Sequence, residues 1–257
     1  MDAASVLRLF DRQMRRDLTS ADPDVQVERD SRTVVCFGAD WSAVVWSDLD
    51  ESTADEAVAR TVERMRGLGR EAEWKLYGHD RPADLAQRLE AAGLEPGDEE
   101  AVLVADLAEL SLVVAPPDGI ELRIAADADT VASYVAVHDQ VFGGDHSAAG
   151  RALVRALDRE PPRELGVVCF AAEGPVAAGR IEFNDRSDFA SIWGGGTLPH
   201  WRGRGIYRAT VAARARLACE RGYRYLQVDA LPTSRPILER LGFVQLTATT
   251  PYAIRGR

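Results

Sequence analysis

The chain has 257 residues, 46% of them hydrophobic, and a formal net charge of -10. That is enough apolar content for one large domain or two of ordinary size, and the wrong sign of charge for general nucleic-acid binding. No run of about 18 apolar residues occurs, so neither a transmembrane helix nor a membrane partner is expected. The opening MDAASVLRLFDRQMRRDLTS sets an acid ahead of a broken apolar stretch, unlike a secretory signal. Cys36, Cys169 and Cys219 are odd in number and far apart, and the four histidines show no ligand spacing. A cytoplasmic protein with no disulfide framework and no metal site is therefore expected.

In chain order, TVVCFGADWSAVVWSDL reads as a strand hairpin and STADEAVARTVERMRGLG as a helix. AEWKLYGHDRPADLAQRLEAAGLEPGDEEAVLVADL then gives a strand, a loop, a helix ending Ala-Gly-Leu, and a strand. Pro116-Pro117-Asp118-Gly119 is rigid punctuation between two strand-like stretches. It also divides the charge: residues 1–115 carry 13 basic and 25 acidic side chains, residues 116–257 carry 18 and 16. After it come a strand at Ile120–Ala125 and a helix, DADTVASYVAVHDQVFG, with Val131, Val135 and Phe142 on one face. A short helix, SAAGRALVRALDRE, is stopped by Pro161-Pro162. LGVVCFAAE, PVAAGRIEFN and FASIWGGGTL are strands joined by Glu173-Gly174 and by the turn Asp185–Asp188. A long helix begins near Ile206 with Thr210, Ala213 and Leu217 on one face, and Gly222 ends it. YRYLQVDA, SRPILERLG and FVQLTATTPYAI add a strand, a helix and a strand. The second half is thus β-α-α-β-β-β-α-β-α-β, a mixed α/β sheet architecture. The first half repeats part of this order in weaker form, with the acidic DLDESTADE at the point where the second half has HWRGRGIY.

That point carries the chemistry. A helix start ordinarily takes a Ser, Thr, Asp or Asn cap and acidic residues in its first turn. Arg202-Gly203-Arg204-Gly205 instead offers unpaired N–H groups, close backbone approach and positive charge, an arrangement suited to an anion such as a diphosphate. Taken alone, such a turn reads equally well as a basic solvated loop.

With Arg202 and Gly205 at the Arg/Gln-x-x-Gly-x-Gly/Ala spacing, and with ILERLGF running from a helix into Gly242-Phe243 and a strand, residues 120–257 resemble the GNAT superfamily of acetyl-CoA-dependent N-acetyltransferases. The acidic residues 1–115 resemble the degenerate partner domain of tandem GNAT proteins, without a CoA motif. The resemblance implies that the N–H groups of Gly203, Arg204, Gly205, Ile206 and Tyr207 hold the CoA pyrophosphate, helped by the Arg202 and Arg204 side chains. Tyr207 departs from the small residue usual at the sixth motif position. Gly196, Thr197 and Leu198 are implied to pair with pantetheine, and N–H groups near Thr197 or Leu198 to hold the oxyanion. Gly194–Gly196 also read as a strand bulge.

The family's usual base, a glutamate on the strand before the turn, is replaced here by Ser191. If Asp185–Asp188 is a four-residue turn, Glu182 stands directly across from Ser191 on the face opposite Ile181, Phe183, Ala190 and Ile192, and takes the role of base. The tyrosine usual before Gly-Phe is Leu238 here, which leaves Ser234, Tyr207 and Tyr252 as proton-donor candidates. His138, Asp145 and His146 are further candidates on the acceptor side, where a plain surface loop is the alternative, and Trp193 is a candidate pocket wall. The expected activity is acetyl transfer from acetyl-CoA to a small, cationic amine. The alternative is a non-catalytic acyl-CoA-binding protein.

Overall fold

The computed structural model describes residues 1–20, 24–38, 41–69, 72–110 and 114–255; the tip of the first hairpin, residues 39–40, lies outside them. In chain order the elements are α1 (Ala3–Phe10), widening into a π-turn at Asp11–Arg16, then β1 (Gln26–Arg29), β2 (Thr33–Phe37), β3 (Ser42–Ser47), α2 (Ala54–Arg66), β4 (Ala72–Tyr77), α3 (Leu85–Ala91), β5 (Glu95–Pro96) and β6 (Glu100–Asp106). They continue with β7 (Glu121–Ala125), α4 (Ala128–Phe142), α5 (Ser147–Leu157), β8 (Glu164–Ala171), β9 (Gly174–Phe183), β10 (Phe189–Thr197), a 3₁₀ turn (Pro199–Trp201), α6 (Ile206–Glu220), β11 (Tyr225–Ala230), α7 (Arg235–Arg240) and β12 (Val244–Ile254). The mixed α/β architecture expected from the sequence is present. α1 and β1 are additional to it.

The chain forms two compact units. One comprises Met1–Leu103, Asp229–Pro236 and Val244–Arg257; the other comprises Val104–Val228 and Ile237–Phe243. The sequence reading set continuous domains at 1–115 and 120–257, whereas the units interleave the chain. The physical reason is the pairing of the C-terminal strand. β12 runs antiparallel to β4 from Thr249↔Tyr77 to Ile254↔Ala72, and Tyr252 and Ile254 are buried in the first unit's core. Lys75, the chain's one lysine, ion-pairs with Asp229 inside the same unit.

In the first unit β1, β2 and β3 are antiparallel neighbours, and β3 pairs in parallel with β4 through the crossover helix α2. Val58, Val62 and Met65 of α2 pack with Leu85 and Leu89 of α3 on Val44 and Trp74. Asp55 and Glu56 occupy the first turn of α2, where the helix dipole favours them. In the second unit β7, β8, β9 and β10 are antiparallel neighbours, and β10 pairs in parallel with β11 through the crossover helix α6. α4 and α5 cover one face through Val131, Tyr134, Val137 and Leu153 on Val168 and Ala178. Ile206 of α6 packs with Cys169, Val176 and Ala177 on the other face. On α4 the buried stripe is thus Val131, Tyr134, Val137 and His138, while Phe142, expected on the inner face, is exposed.

Candidate active site

The basic turn begins where β10 runs out. Leu198 N–H donates to the Val176 carbonyl at 2.9 Å, which closes the strand against β9. Gly203 (φ 76°) and Gly205 (φ 86°) adopt left-handed conformations that other residues enter at a steric cost, and Gly205 is the N-cap of α6 with no side-chain cap. Among the described residues, chain neighbours aside, no atom lies within 4 Å of the place a Cβ would take at Gly203, and at Gly205 only Pro117 Cγ does, at 3.9 Å. The outcome is an open, positively polarised backbone cradle at the start of a helix of 15 residues.

The flanking side chains divide their roles. Arg202 Nε donates to the Thr197 carbonyl at 3.0 Å and so ties the turn to the strand end. The Arg204 guanidinium lies 4.6 Å from the centre of the Trp201 ring. The Ile206 side chain is buried, so only its backbone faces the cradle. Tyr207 turns beneath β10: its Cε2 lies 2.9 Å from where a Cβ on Gly195 would stand. Its bulk is therefore absorbed under the sheet and does not crowd the glycine turn.

β10 is irregular at its glycines. Its parallel ladder with β11 covers only Phe189–Ser191 against Tyr225–Gln227. Its register with β9 slips between Trp193↔Arg180 and Gly196↔Ala178. Each glycine is held to size by a neighbour: added Cβ atoms would stand 2.6 Å from His138 Nε2 at Gly194, 2.9 Å from Tyr207 at Gly195 and 2.7 Å from Val141 at Gly196. The bulge is thus gripped by α4 on one side and α6 on the other. Thr197 and Leu198 differ in use. Leu198 N–H is taken by β9, so Leu198 does not serve as the expected oxyanion donor. Thr197, next along an extended strand, faces the other way.

Arg214 is the residue under the bulge that sequence reasoning missed. It is fully buried, and its Nη1 donates to the carbonyls of Arg180 and Trp193 at 3.3 and 3.4 Å while Nε donates to Thr210 O at 3.0 Å. Burial pulls its pKa below the usual guanidinium range. The first unit has a buried counterpart in Arg15, which reaches the Val45 carbonyl at 3.0 Å but is neutralised by Asp80 and Asp11 at 2.7 Å each. The hydrogen-bond partners of Arg214 are carbonyls and the Thr210 hydroxyl.

The face toward α4 carries the carboxylates. The expected register is present: Phe183 pairs with Ala190 and Glu182 with Ser191. Glu182 is exposed and accepts a hydrogen bond from Trp193 Nε1 at 3.1 Å. Ser191 is 1% exposed and its hydroxyl accepts from Asn184 Nδ2 at 2.9 Å, which makes it a buried structural hydroxyl and not an open catalytic one. Glu164 of β8 stands directly across from Glu182 on the other side of β9 and ion-pairs with Arg180 Nε at 2.9 Å. Burial, with the Glu182 charge adding to it, pushes Glu164 up to about 7 against the pull of Arg180.

The histidine candidates separate. His138 is 3% exposed, so the surface-loop reading does not hold for it. Asp139 accepts from the backbone N–H of His146 at 2.8 Å and its carboxylate lies 3.1 Å from His146 Nδ1. Asp145 is exposed and accepts from Ser147 N at 2.8 Å, closing the turn into α5. Ser234 and Tyr252 belong to the first unit. The Ser234 hydroxyl donates to the Leu231 carbonyl at 3.2 Å, and Tyr252 is packed in that unit's core. Leu238 is fully buried. Among the described residues no cluster of His, Cys, Asp and Glu could hold a metal ion, and no helix is long and apolar enough to cross a membrane.

No protein-family model matches this chain, and no curated protein matches it. Solved structures do match in fold. A GCN5-related N-acetyltransferase from Kribbella flavida superposes with a TM-score of 0.71 at 16% identity, covering 100% of this chain and 96% of its own. Another from Sphaerobacter thermophilus gives 0.64 at 14% identity, with 100% and 94% covered. A tandem GNAT protein from the clavulanic acid biosynthesis pathway gives 0.59 at 13% identity, with 98% and 87% covered. The chain therefore has the fold of the GCN5-related N-acetyltransferases.

Proposed function

We propose that this chain is an acetyl-CoA-dependent N-acetyltransferase acting on a small amine, with its cosubstrate site in the second unit. The observation that carries this reading is the uncapped start of α6, where left-handed Gly203 and Gly205 leave an open cradle of N–H groups beside Arg202 and Arg204. A pyrophosphate matches such a cradle in charge and in hydrogen-bonding sense. The end of β10 past its ladder with β11 offers backbone to the amide groups of pantetheine, as a sheet edge takes an added strand. Thr197, turned away from β9, takes the oxyanion-donor role. Glu182, exposed and oriented by Trp193, is the base, directly or through a water.

In this reading the first unit is a second copy of the fold without the anion site. Two parallels support it: each unit has a parallel strand pair joined by a crossover helix, and the helix in the first unit opens on Asp55 and Glu56 where α6 opens on glycines. The acidic first half draws cations, which favours a cationic acceptor, and the activity belongs to the cytoplasm.

Titration calorimetry with acetyl-CoA and thiol release against a panel of amines test the proposal together. One site per chain is expected in the wild type. Gly205→Asp sets a carboxylate in the open cradle, where its side chain has little to strike and the left-handed backbone adds only the modest cost that aspartate pays there. CoA binding is expected to weaken roughly ten- to a hundredfold with the fold retained. Unchanged affinity in the folded variant removes the phosphate-site assignment. Binding without thiol release on any amine makes the chain the non-catalytic acyl-CoA binder instead.

A further inference from the structure

One guanidinium on β9 stands within reach of two carboxylates. Arg180 and Glu182 are two residues apart on that strand, so they share a face roughly 7 Å from each other. Glu164 of β8 is the register partner of Glu182, which sets their Cβ atoms about 4.5–5.5 Å apart on the same face. Like charges placed directly opposite each other on neighbouring strands repel, and a single cation can relieve only one of them fully. The structure shows which one: Arg180 Nε pairs with Glu164 at 2.9 Å, whereas Glu182 takes a hydrogen bond from Trp193 Nε1 at 3.1 Å. The three side chains are open to solvent and have room to exchange partners. Glu164 and Arg180 are 19% and 32% exposed, and Glu182 is exposed.

Resting on the acetyltransferase reading above, we propose that Glu164 is a positioning residue that decides whether Arg180 leaves Glu182 free to act as the base. Ionised, Glu164 holds the guanidinium, and Glu182 stays turned to Trp193, ready to take the proton of the attacking amine. Protonated, Glu164 no longer competes. Arg180 is attracted by both carboxylates, and with Glu164 neutral that attraction goes to Glu182, the charged member of the pair. A base locked in an ion pair is a poorer proton acceptor. The exchange needs a side-chain rotation and no movement of the strands. The charged and titratable groups that face Glu164 are Arg180 and Glu182 from β9, Tyr134 from α4 and Arg155 from α5. Burial and the Glu182 charge push its pKa up to about 7 against the pull of Arg180 and Arg155, so the exchange falls in the neutral range.

The test is the pH dependence of kcat/KM in the full chain, for the amine that supports the fastest thiol release. Each variant is read as a ratio to the wild type, so that the titration of the amine itself cancels, and unchanged acetyl-CoA affinity checks the fold. The wild type is expected to lose activity as pH falls through about 7. Glu164→Gln stands for the protonated state at every pH. Above the limb its kcat/KM is expected to fall about tenfold, and the limb itself to disappear. Glu164→Gln combined with Arg180→Gln removes the trapping cation as well and is expected to recover most of that loss. A merely structural ion pair gives no such recovery, because losing its second member does not restore what losing the first removed. Arg180→Gln alone supplies a further variant: with no guanidinium to hand over, the limb is expected to move to lower pH. A double variant no more active than Glu164→Gln, or a limb near 7 that persists in Glu164→Gln, overturns the positioning role and leaves the acetyltransferase reading standing. Absence of thiol release in the wild type overturns both.

Discussion

Glu164 and His138 share one face of the second unit and are displaced from ordinary titration in opposite senses. Glu164 is pushed from 4.5 up to about 7 by burial and by Glu182, against Arg180. His138 is pushed from 6.5 down to about 4, chiefly by burial. Between those Glu164 values the folded chain holds a proton the unfolded chain has released, so its stabilisation is complete below the unfolded pKa and lost as pH rises through about 7. For His138 the unfolded chain binds the extra proton, so stability is complete above the unfolded pKa and lost as pH falls through about 4. Each displacement corresponds to at most about 3 kcal/mol. In the window they share the two contributions oppose each other, and the wild type is expected to vary little from them. Glu164→Gln leaves His138 uncompensated, and stability is expected to fall on acidification from pH 6.5 to 4.5. His138→Phe leaves Glu164 uncompensated, and stability is expected to rise as pH falls from 7 to 4.5. Urea unfolding midpoints at several pH values check both, and parallel profiles for the two variants contradict the assignment.

At the level of elements, what the sequence made legible was whatever depends on local register and turn chemistry. The turn Asp185–Asp188 fixed Glu182 opposite Ser191, and the glycine-rich start of α6 announced itself by what it lacked, an acidic or hydroxyl cap. Glu164 was hidden for a definable reason. Phe170↔Pro175 continues the register of the Glu173-Gly174 turn, but a slip between Cys169 and Phe170 moves the ladder by one residue before it reaches Glu164↔Glu182. A one-residue shift exchanges the faces of a strand, so without that bulge Glu164 would stand opposite Ile181 and point to the α6 side. Arg214 was hidden differently. On a helix surface an arginine reads as solvated, and it is the carbonyls of Arg180 and Trp193 at the β10 bulge that, with Thr210 of its own helix, give it buried partners. The bulge itself is testable. In Gly195→Ala the new Cβ would stand 2.9 Å from Tyr207 and 3.1 Å from Arg214 Nη2, in a site closed on that side. Overpacking of that kind costs about 1–3 kcal/mol. A melting temperature lowered by several degrees, with weaker acetyl-CoA binding than at an exposed control glycine such as Gly78, where an added Cβ would meet nothing nearer than 3.6 Å, is the expected result; wild-type values for both would show that the grip of α6 on the bulge is loose.

For the molecule as a whole, the ends of the chain matter more than the sequence suggested. A boundary drawn at Pro116–Gly119 treats the last strand as the close of the second half. β12 instead completes the first unit, in a ladder with β4 that runs the length of Thr249–Ile254 and in a short pairing with β5 at Tyr252↔Pro96 and Ala253↔Glu95. Periodicity could not reveal this, because an apolar strand reads the same whichever sheet it joins. The energetic consequence follows from burial. Tyr252 and Ile254 are 5% and 1% exposed in the core that also holds Trp74, Met65 and Leu89. Two side chains of that size contribute roughly 3–6 kcal/mol by burial alone, a large share of the 5–15 kcal/mol that holds a typical domain folded. Their loss would also strip β4 of its hydrogen-bond partner along Ala72–Tyr77. A chain ending at Phe243 is therefore expected to unfold first in Met1–Leu103, far from the deletion in sequence. Hydrogen exchange followed by mass spectrometry reads this directly: peptides covering β3, α2 and β4 should lose protection in the truncated chain. Full protection of Ala72–Tyr77 without β12 would mean that the first unit folds on its own residues, and that the C-terminal strand is an accessory to it.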